Sequence, residues 1–592
     1  MSNAINAGTI LDFALLQSAA ECYLDGLHSG STSTDIKEKL IEGANNALLQ
    51  GKSPGDPLLS GATRFTDTQA EWFTSNYEIV THYPNDSSGF SATLFRRTQD
   101  DPITGAKAGE YTLSFRSTEY QFQDKGGDYE RDGADATDGD ISGKGYALAQ
   151  LSSMETFYAH LKLGQTWNDT TKLWENNTAV AAFVGGTPTL NVTGYSLGAH
   201  LSTSFTLLHT ADVAATWNFN AAGIGGIVTP EYDNAIPTGS AIKALIEFYD
   251  TLMHYDGNVP NNPLWAELVL DSSFLDDLVY TASDVQGQTF ANVYDNPLHD
   301  VVMNILSKKM YPAGAGEKLI SGDSIGDSIL ADAILNWKLN DLNSFTSDKY
   351  QIQSASGAWS KIHQFNGHGE FMDMEFVANS GWHAAPSDIF IEDLPMSRGF
   401  GLLELLATSL RDLVGEFGET HSVVPLTDSL TVLDMIQRMD GGFDMANFTL
   451  LERAIANSEF QFSNSSILPT LYAPNLALLG LILPEGVMNA LQSDKIHDAD
   501  ALENTVNALY KLLLGTDPGL KPNTDPAAIA ESYGNREERN KLHQKVAEIN
   551  TAVQALKDAG TQLQFRQLVS VNYSDYLAKA KQSRRGQCRH VF

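Results

Sequence analysis

The chain has 592 residues, and its 38 Lys and Arg against 73 Asp and Glu leave a formal net charge of −35. A surface that acidic repels phosphate backbones and excludes nucleic acid as a partner; it suits a soluble protein, one working at high salt, or one carrying calcium. Only two cysteines, Cys22 and Cys588, are present, which excludes a disulfide framework and a cysteine-based metal site. The length corresponds to roughly two to four domains, and a hydrophobic share of 42% supplies a sizeable core. The first residues lack the cationic stretch and apolar run of a secretory signal. No window holds eighteen consecutive apolar residues, so no transmembrane helix is expected. The expected location is extracellular, reached by a route that does not read an N-terminal signal, and otherwise cytoplasmic.

In chain order, residues 9–50 read as helical, with Ile10, Phe13 and Leu16 on one stripe and Leu24 and Leu27 beyond. A Gly/Ser/Pro-rich stretch at 51–62 breaks the pattern, so residues 1–60 form an N-terminal helical segment. Strands follow at 77–83, 90–95 and 111–115, the last two flanking a turn with Asp101-Pro102 and Gly105, which predicts a hairpin. From there strands alternate with helices. A helix is expected over 146–162, a strand over 189–193 and a helix over 199–208. Further strands are expected over 216–220 and 290–294. That alternation predicts an α/β protein with a mostly parallel sheet and helices on both faces, residues 61–440 forming one domain.

An insertion at about 230–285 falls outside the rhythm. It carries two apolar stripes, Ile242, Leu245, Ile246, Tyr249, Leu252 and Met253, then Leu264, Leu268, Leu275, Leu278 and Val279. They make two amphipathic helices, read either as ordinary packing helices or as a lid over an apolar pocket. Residues 441–592 read as a helical C-terminal region, with helices near 501–514 and 535–557. The last twelve residues are basic and unpatterned.

One pentapeptide carries chemistry. Gly194-Tyr195-Ser196-Leu197-Gly198 reads G-x-S-x-G between the expected strand and helix. This is the setting of a nucleophile elbow, in which a sharp turn holds the central serine in a strained conformation. A serine hydroxyl needs a base, and the base needs an orienting acid further along the chain. Asp295 follows the expected strand 290–294 and precedes Asn296-Pro297; Asp300 and Asp250 stand behind it as acids. For the base, His421 in Gly418-Glu419-Thr420-His421-Ser422 and His368 in Asn366-Gly367-His368-Gly369 both lie in polar loops. The oxyanion formed by attack requires donors. The N–H of Leu197, next after the nucleophile, is one, and Thr118, at the end of an earlier strand, is the other.

Several segments together resemble one family. Phe115-Arg116-Ser117-Thr118-Glu119 is similar to the oxyanion strand F-R-G-T-E of class 3 lipases and of bacterial lipases secreted by type I systems, with Ser117 in place of the usual glycine. Gly89-Phe90-Ser91-Ala92-Thr93-Leu94-Phe95 resembles the strand before it. Residues 192–201 resemble the elbow V-T-G-H-S-L-G-G-H-L, with Tyr195 and Ala199 as the departures. His421 through Asp428 and Leu433 resembles the loop of the catalytic histidine, and on that likeness His421 is preferred to His368. The likeness spans roughly residues 70–440.

The resemblance implies an α/β-hydrolase fold and a serine carboxylester hydrolase acting on acylglycerols or phospholipids; the helical insertion, where read as a lid, favours a lipase working at a lipid–water interface. Phospholipase A1 and short-chain esterase are its near variants; a peptidase is a more distant reading, and a secreted toxin or surface protein with a non-catalytic hydrolase scaffold is the competing class. No cofactor is expected for catalysis. The resemblance brings calcium into question, and the nearest oxygen-rich segment is a single acidic loop with Asp128, Asp132, Asp135, Asp138 and Asp140; a solvated turn is the competing reading.

Overall fold

The structure is a computed structural model that describes residues 6–42, 65–119, 128–133, 135–186, 190–225, 227–229, 232–235, 239–255, 272–310, 356–367, 380–381, 387–389, 423–439, 501–520 and 536–560. The chain opens with helices α1 (Ala7–Ala20), α2 (Ser33–Glu42) and α3 (Asp67–Asn76), followed by strands β1 (Tyr77–Tyr83), β2 (Ala92–Arg97) and β3 (Tyr111–Phe115). Next come α4 (Tyr129–Asp132), α5 (Thr137–Lys144) and α6 (Leu148–Lys162), the pair β4 (Gln165–Asn168) and β5 (Leu173–Asn176), and α7 (Thr178–Gly185). The central run is β6 (Leu190–Tyr195), α8 (Leu197–Leu208) and β7 (Val213–Phe219). Three short strands, β8 (Ile224–Gly225), β9 (Ile227–Thr229) and β10 (Tyr232–Ala235), lead to α9 (Gly239–Met253), α10 (Ser272–Val285) and α11 (Pro297–Met310). After α12 (Ser356–Trp359) come β11 (Ile362–Gly367), β12 (Ser380–Gly381), β13 (Ser387–Ile389), α13 (Val423–Met439), α14 (Ala501–Leu514) and α15 (Arg536–Asp558).

Seven strands form the main sheet in the order β1-β2-β3-β6-β7-β11-β13. The β1–β2 and β2–β3 pairs are antiparallel, and every pair from β3 to β13 is parallel. Central parallel strands covered on both faces need apolar or hydrogen-bonded side chains throughout, and β3 is buried along its whole length. One face packs on α6, α8, α9 and α11 through a core with Leu151, Phe157, Phe205, Leu245 and Met303. The other packs on α1 and α13 through Leu16, Phe95, Phe219, Phe365 and Leu430. The molecule is therefore a mixed α/β structure with a mostly parallel sheet between helical layers. Among the described residues no helix is long and apolar enough to cross a membrane.

Several expectations change. The helix expected over 9–50 is two helices, because Gly26 and Gly30 adopt φ of +81° and +100° between them. The second starts at a local cap: the Thr32 hydroxyl accepts from the Asp35 N–H, and the Asp35 carboxylate accepts from the Thr32 N–H. Residues 43–50 and the stretch 51–62 lie outside the described residues; the strands 77–83 and 111–115 form as expected, and the strand expected over 90–95 runs over Ala92–Arg97 and pairs with β3 as the expected hairpin.

The strand expected over 290–294 does not form. Asn292 accepts a hydrogen bond from the Tyr294 N–H and folds Val293–Asp295 into a 3-10 turn that runs into α11. The strand beside β7 is instead β11. The stripe of α9 is no free lid face: Ile242, Leu245, Ile246, Tyr249 and Leu252 are buried in the main core. Of the second stripe, Leu264 and Leu268 lie outside the described residues; α10 exposes Val279 and Tyr280 while burying Leu278.

The C-terminal region, delimited at 441 from the sequence, is not spatially apart. Helix α15 packs on α13 and α3. Arg539 Nε and Nη2 donate to the two Asp428 oxygens at 2.7 and 2.8 Å, and His543 Nε2 stands 2.7 Å from Asp428 Oδ1. Asn540 accepts from the Thr68 N–H at 3.0 Å. All three members of the Asp428 cluster are buried, and Arg539 holds the Asp428 carboxyl well below the usual range against the upward push of burial. Removing one partner of a buried ion pair leaves the other uncompensated, which costs about 3–5 kcal/mol. Arg539→Ala is expected to lower the unfolding free energy in urea by that amount, and Arg539→Lys, which loses the bidentate geometry alone, by less.

Candidate active site

The elbow forms where β6 meets α8. Ser196 has φ +50° and ψ −120°, a conformation that non-glycine residues enter only when their surroundings impose it, at about 1–3 kcal/mol. The surroundings are backbone. The Ser196 N–H donates to Phe219 O at 3.1 Å, and the Ser196 carbonyl accepts from the Ala199 and Ala222 N–H groups at 3.0 and 3.1 Å. The two glycines are needed for contact. A Cβ on Gly194 would lie 2.1 Å from Gly198 O, and one on Gly198 would lie 2.3 Å from Phe115 O. Any side chain at either position therefore collides with backbone that cannot swing away. Ser196 itself is 7% exposed.

Leu197, the first residue of α8, has an N–H without a partner inside the helix, at the positive end of the helix dipole. Beside it runs the segment after β3. Phe115 pairs with Gly194 across the sheet, so the residues following each strand leave the same edge. Buried charge locks this segment. The Arg116 guanidinium donates to Ala20 O, Cys22 O and Glu119 Oε1 at 3.2, 3.1 and 2.5 Å. The Ser117 N–H donates to Glu21 at 2.9 Å, and Glu119 accepts from Asn85 at 2.8 Å. Between these fixed neighbours, Thr118 is held by its hydroxyl, which donates to both Asp138 oxygens at 3.0 Å. Burial pushes the Asp138 carboxyl up to about 7.

Thr118 and Leu197 thus lean on one element, α5. Asp138 binds Thr118, and Ile141 packs with Leu197 and Ala222 in a small buried cluster.

The histidines of this region are occupied. His200 Nδ1 faces Gly223 O at 2.8 Å, its Nε2 accepts from the Ala147 N–H at 3.2 Å, and burial lowers its pKa to about 4, so it is a neutral brace. His299 uses both ring nitrogens, on Tyr249 and Asp140. His363 packs at a tilt against Trp217, ring centroids 4.6 Å apart, on the α1 face of the sheet. Among the described residues no histidine is hydrogen-bonded to Ser196. His421 and His368 lie outside the described residues.

Asp295, expected as the orienting acid after a strand, is exposed in the 3-10 turn before α11 and ends no strand, so its surroundings do not supply the shielded position that role requires. Asp300 is exposed on α11, and Asp250 on α9 accepts from Ser152 at 2.7 Å. The sheet order puts β11 next to β7, with Phe365 in register with Phe219 and so with Tyr195, two strands from the elbow.

The acidic loop divides its carboxylates among internal partners. Asp128 pairs with Arg131. Asp132 accepts from the Glu119 N–H at 3.0 Å and from Gln150 at 2.8 Å; burial and the neighbouring Asp128 raise its pKa strongly. Asp138 serves Thr118, Asp140 pairs with Lys144 at 2.6 Å, and Asp135 is exposed. Among the described residues no group of three or more His, Cys, Asp or Glu is arranged to hold a metal ion. Sequence reasoning placed Asp138 in this loop as an oxygen ligand and missed its bond to Thr118, because the two are joined only by the fold.

Comparison with protein-family models, with curated protein sequences and with solved structures finds no match.

Asp138 makes pH a probe of this site. Its folded pKa, about 7, is raised above its ordinary value of 3.8. A carboxyl so shifted stabilises the fold fully below the unfolded value, and that contribution is lost as pH rises through the folded value. Between pH 4 and 8 the parent is expected to lose thermal stability relative to Asp138→Asn, so that the Tm of the variant minus that of the parent grows across this window in scanning calorimetry. A difference independent of pH would show that Asp138 does not titrate there.

Proposed function

We propose that this chain is a serine carboxylester hydrolase built on an α/β-hydrolase fold, with acylglycerol esters as its substrate class. One observation carries the reading: Ser196 sits at φ +50° between two glycines that admit no side chain, at the junction of a central parallel strand and a buried helix. A serine is held in such a turn at a cost in backbone energy, and the return for that strain is a hydroxyl lifted clear of the chain. The resemblance of 115–119 and 192–201 to lipase motifs supports the ester as the bond cleaved.

In this reading Ser196 Oγ attacks the ester carbonyl carbon while an imidazole takes its proton. His421 is the proposed base, on the likeness of its loop. The C–O double bond opens to a tetrahedral oxyanion, which accepts from the Leu197 N–H and from Thr118. Collapse expels the alcohol, which takes the proton from the imidazolium, and leaves the acyl group on Ser196. Water then enters, gives a proton to the imidazole and attacks the acyl carbon; the second tetrahedral species releases the carboxylic acid and returns the proton to Ser196. The orienting carboxylate is not assigned to Asp295, because that side chain stands in water.

The test is direct. Ser196→Ala is expected to abolish hydrolysis of p-nitrophenyl esters and labelling by a fluorophosphonate probe, with the circular dichroism spectrum and Tm retained. Turnover that survives the substitution would overturn the reading. A chain-length series from acetyl to palmitoyl then separates lipase from short-chain esterase.

A further inference from the structure

Helix α5 is too short to hold its own place. It has eight residues, its N-terminal flank Ala136 makes no side-chain cap, and helices of this length are marginal in isolation. Its position is set by what its side chains hold, and these divide by helical spacing into two adjacent sets. Asp138 and Ile141, three apart, face Thr118 and Leu197. Thr137 and Asp140, also three apart, face the segment that leads into α11. The Tyr294 hydroxyl lies 2.5 Å from Thr137 Oγ1, and His299 Nε2 lies 3.2 Å from Asp140 Oδ2.

His299 is the junction of the second set. A carboxylate only accepts, so Nε2 carries a proton towards Asp140, and Nδ1 lies 2.9 Å from the Tyr249 hydroxyl. Burial raises the Tyr249 pKa well above its ordinary value, so the phenol keeps its proton and remains a donor. His299, Asp140 and Tyr249 are all buried. The ring thereby bridges α9, which packs directly on α8, to α5, which carries the support of Thr118. Among the described residues, Asp140 keeps only Lys144 if the imidazole is removed.

We infer that His299 is a positioning residue for the oxyanion donors: through Asp140 it fixes the rotation and height of α5, and so the placement of Asp138 under Thr118 and of Ile141 against Leu197. The inference rests on the reading of Ser196 as an ester-cleaving nucleophile. It adds that the segment entering α11 reaches the reaction without touching the substrate.

The experiment measures kcat and KM of the full-length chain for a p-nitrophenyl ester in His299→Leu, His299→Gln and Tyr249→Phe. Each is measured alone and on a Thr118→Val background. His299→Leu removes both hydrogen bonds and is expected to lower kcat by about tenfold, with KM within about twofold, because the donors act on the oxyanion and not on the bound ester. His299→Gln can place an amide N–H near the Nε2 position and is expected to recover most of that loss. On the Thr118→Val background, which has already lost the hydroxyl that Asp138 holds, His299→Leu is expected to add less than about twofold, since residues acting through one another are not additive.

A full tenfold loss on both backgrounds, or a loss shared equally by kcat and KM and tracking a fall in Tm, would reduce His299 to an ordinary core residue and overturn the inference. Unchanged kcat in His299→Leu would do the same. Tyr249→Phe deletes one hydroxyl and keeps the ring, so it reports on the same chain should the leucine variant fail to fold. If Ser196→Ala retains turnover, the underlying reading fails; if it loses turnover while His299→Leu keeps its rate, only the present inference fails.

Discussion

The site depends on one backbone contact, the approach of the first turn of α8 to the end of β3. Gly198 leaves no room for a Cβ between itself and Phe115 O, and Gly194 leaves none between itself and Gly198 O. Three stretches of main chain therefore touch without side chains to separate them. Interiors at this density transmit rather than absorb displacement. Moving β3 moves the elbow, and the turn at Ser196 is held in place by Phe219 at the end of the next strand and by Ala222 just after it, as firmly as by its own neighbours. The strain of its backbone is small beside the strand pairing on either side, which is why a serine can keep a conformation that a free peptide would leave.

That contact also explains why the chain after β3 is so heavily charged inside. Once Phe115 is fixed, Thr118 is three residues away on a segment with no regular hydrogen bonding of its own. Unpaired buried backbone is costly, and the fold meets that cost with Glu21 on the Ser117 N–H and Asp132 on the Glu119 N–H. Arg116 and Glu119 then satisfy each other and the carbonyls at the end of α1. A buried ion pair is weak evidence of stability in itself. Here its consequence is geometric: the Ser117 and Glu119 N–H groups and the Arg116–Glu119 pair are all met in this one arrangement, while the Ser117 hydroxyl is buried without a partner among the described residues.

What was legible in the sequence follows the range of the forces involved. The elbow is local, since its glycines, strand and helix lie within twenty residues, and it was readable. The apolar stripes of α6, α8 and α9 were readable too, because helical periodicity is a property of each helix alone. The strand order was not. Phe290 to Tyr294 has the β-branched and aromatic content of a strand, yet a single Asx hydrogen bond from Asn292 turns it, and the position beside β7 goes to a segment nearly seventy residues later. The acidic residues misled for a related reason. A net charge of −35 reads as surface, whereas Glu21, Asp128, Asp132, Asp140 and Asp428 are internal. Whether a carboxylate is solvated or paired is decided by partners far away in the chain, as Asp138 is by Thr118 and Asp428 by Arg539.

The last of these pairs bears on where the functional unit ends. Helix α13 lies against α1 on one side and α15 on the other, and Asp428 in its second turn is the group that Arg539 and His543 clasp. His421 precedes the first residue of α13 by two positions in the sequence. The helix that follows the proposed base is therefore anchored twice, by apolar contact to the sheet face through Leu426 and Leu430 and by charge to α15. A hinge free to move would need neither. An anchor placed within the first two turns of a helix fixes those turns, so residues some 110 positions later share in holding the start of α13, and α15 is part of the framework on which the proposed chemistry stands.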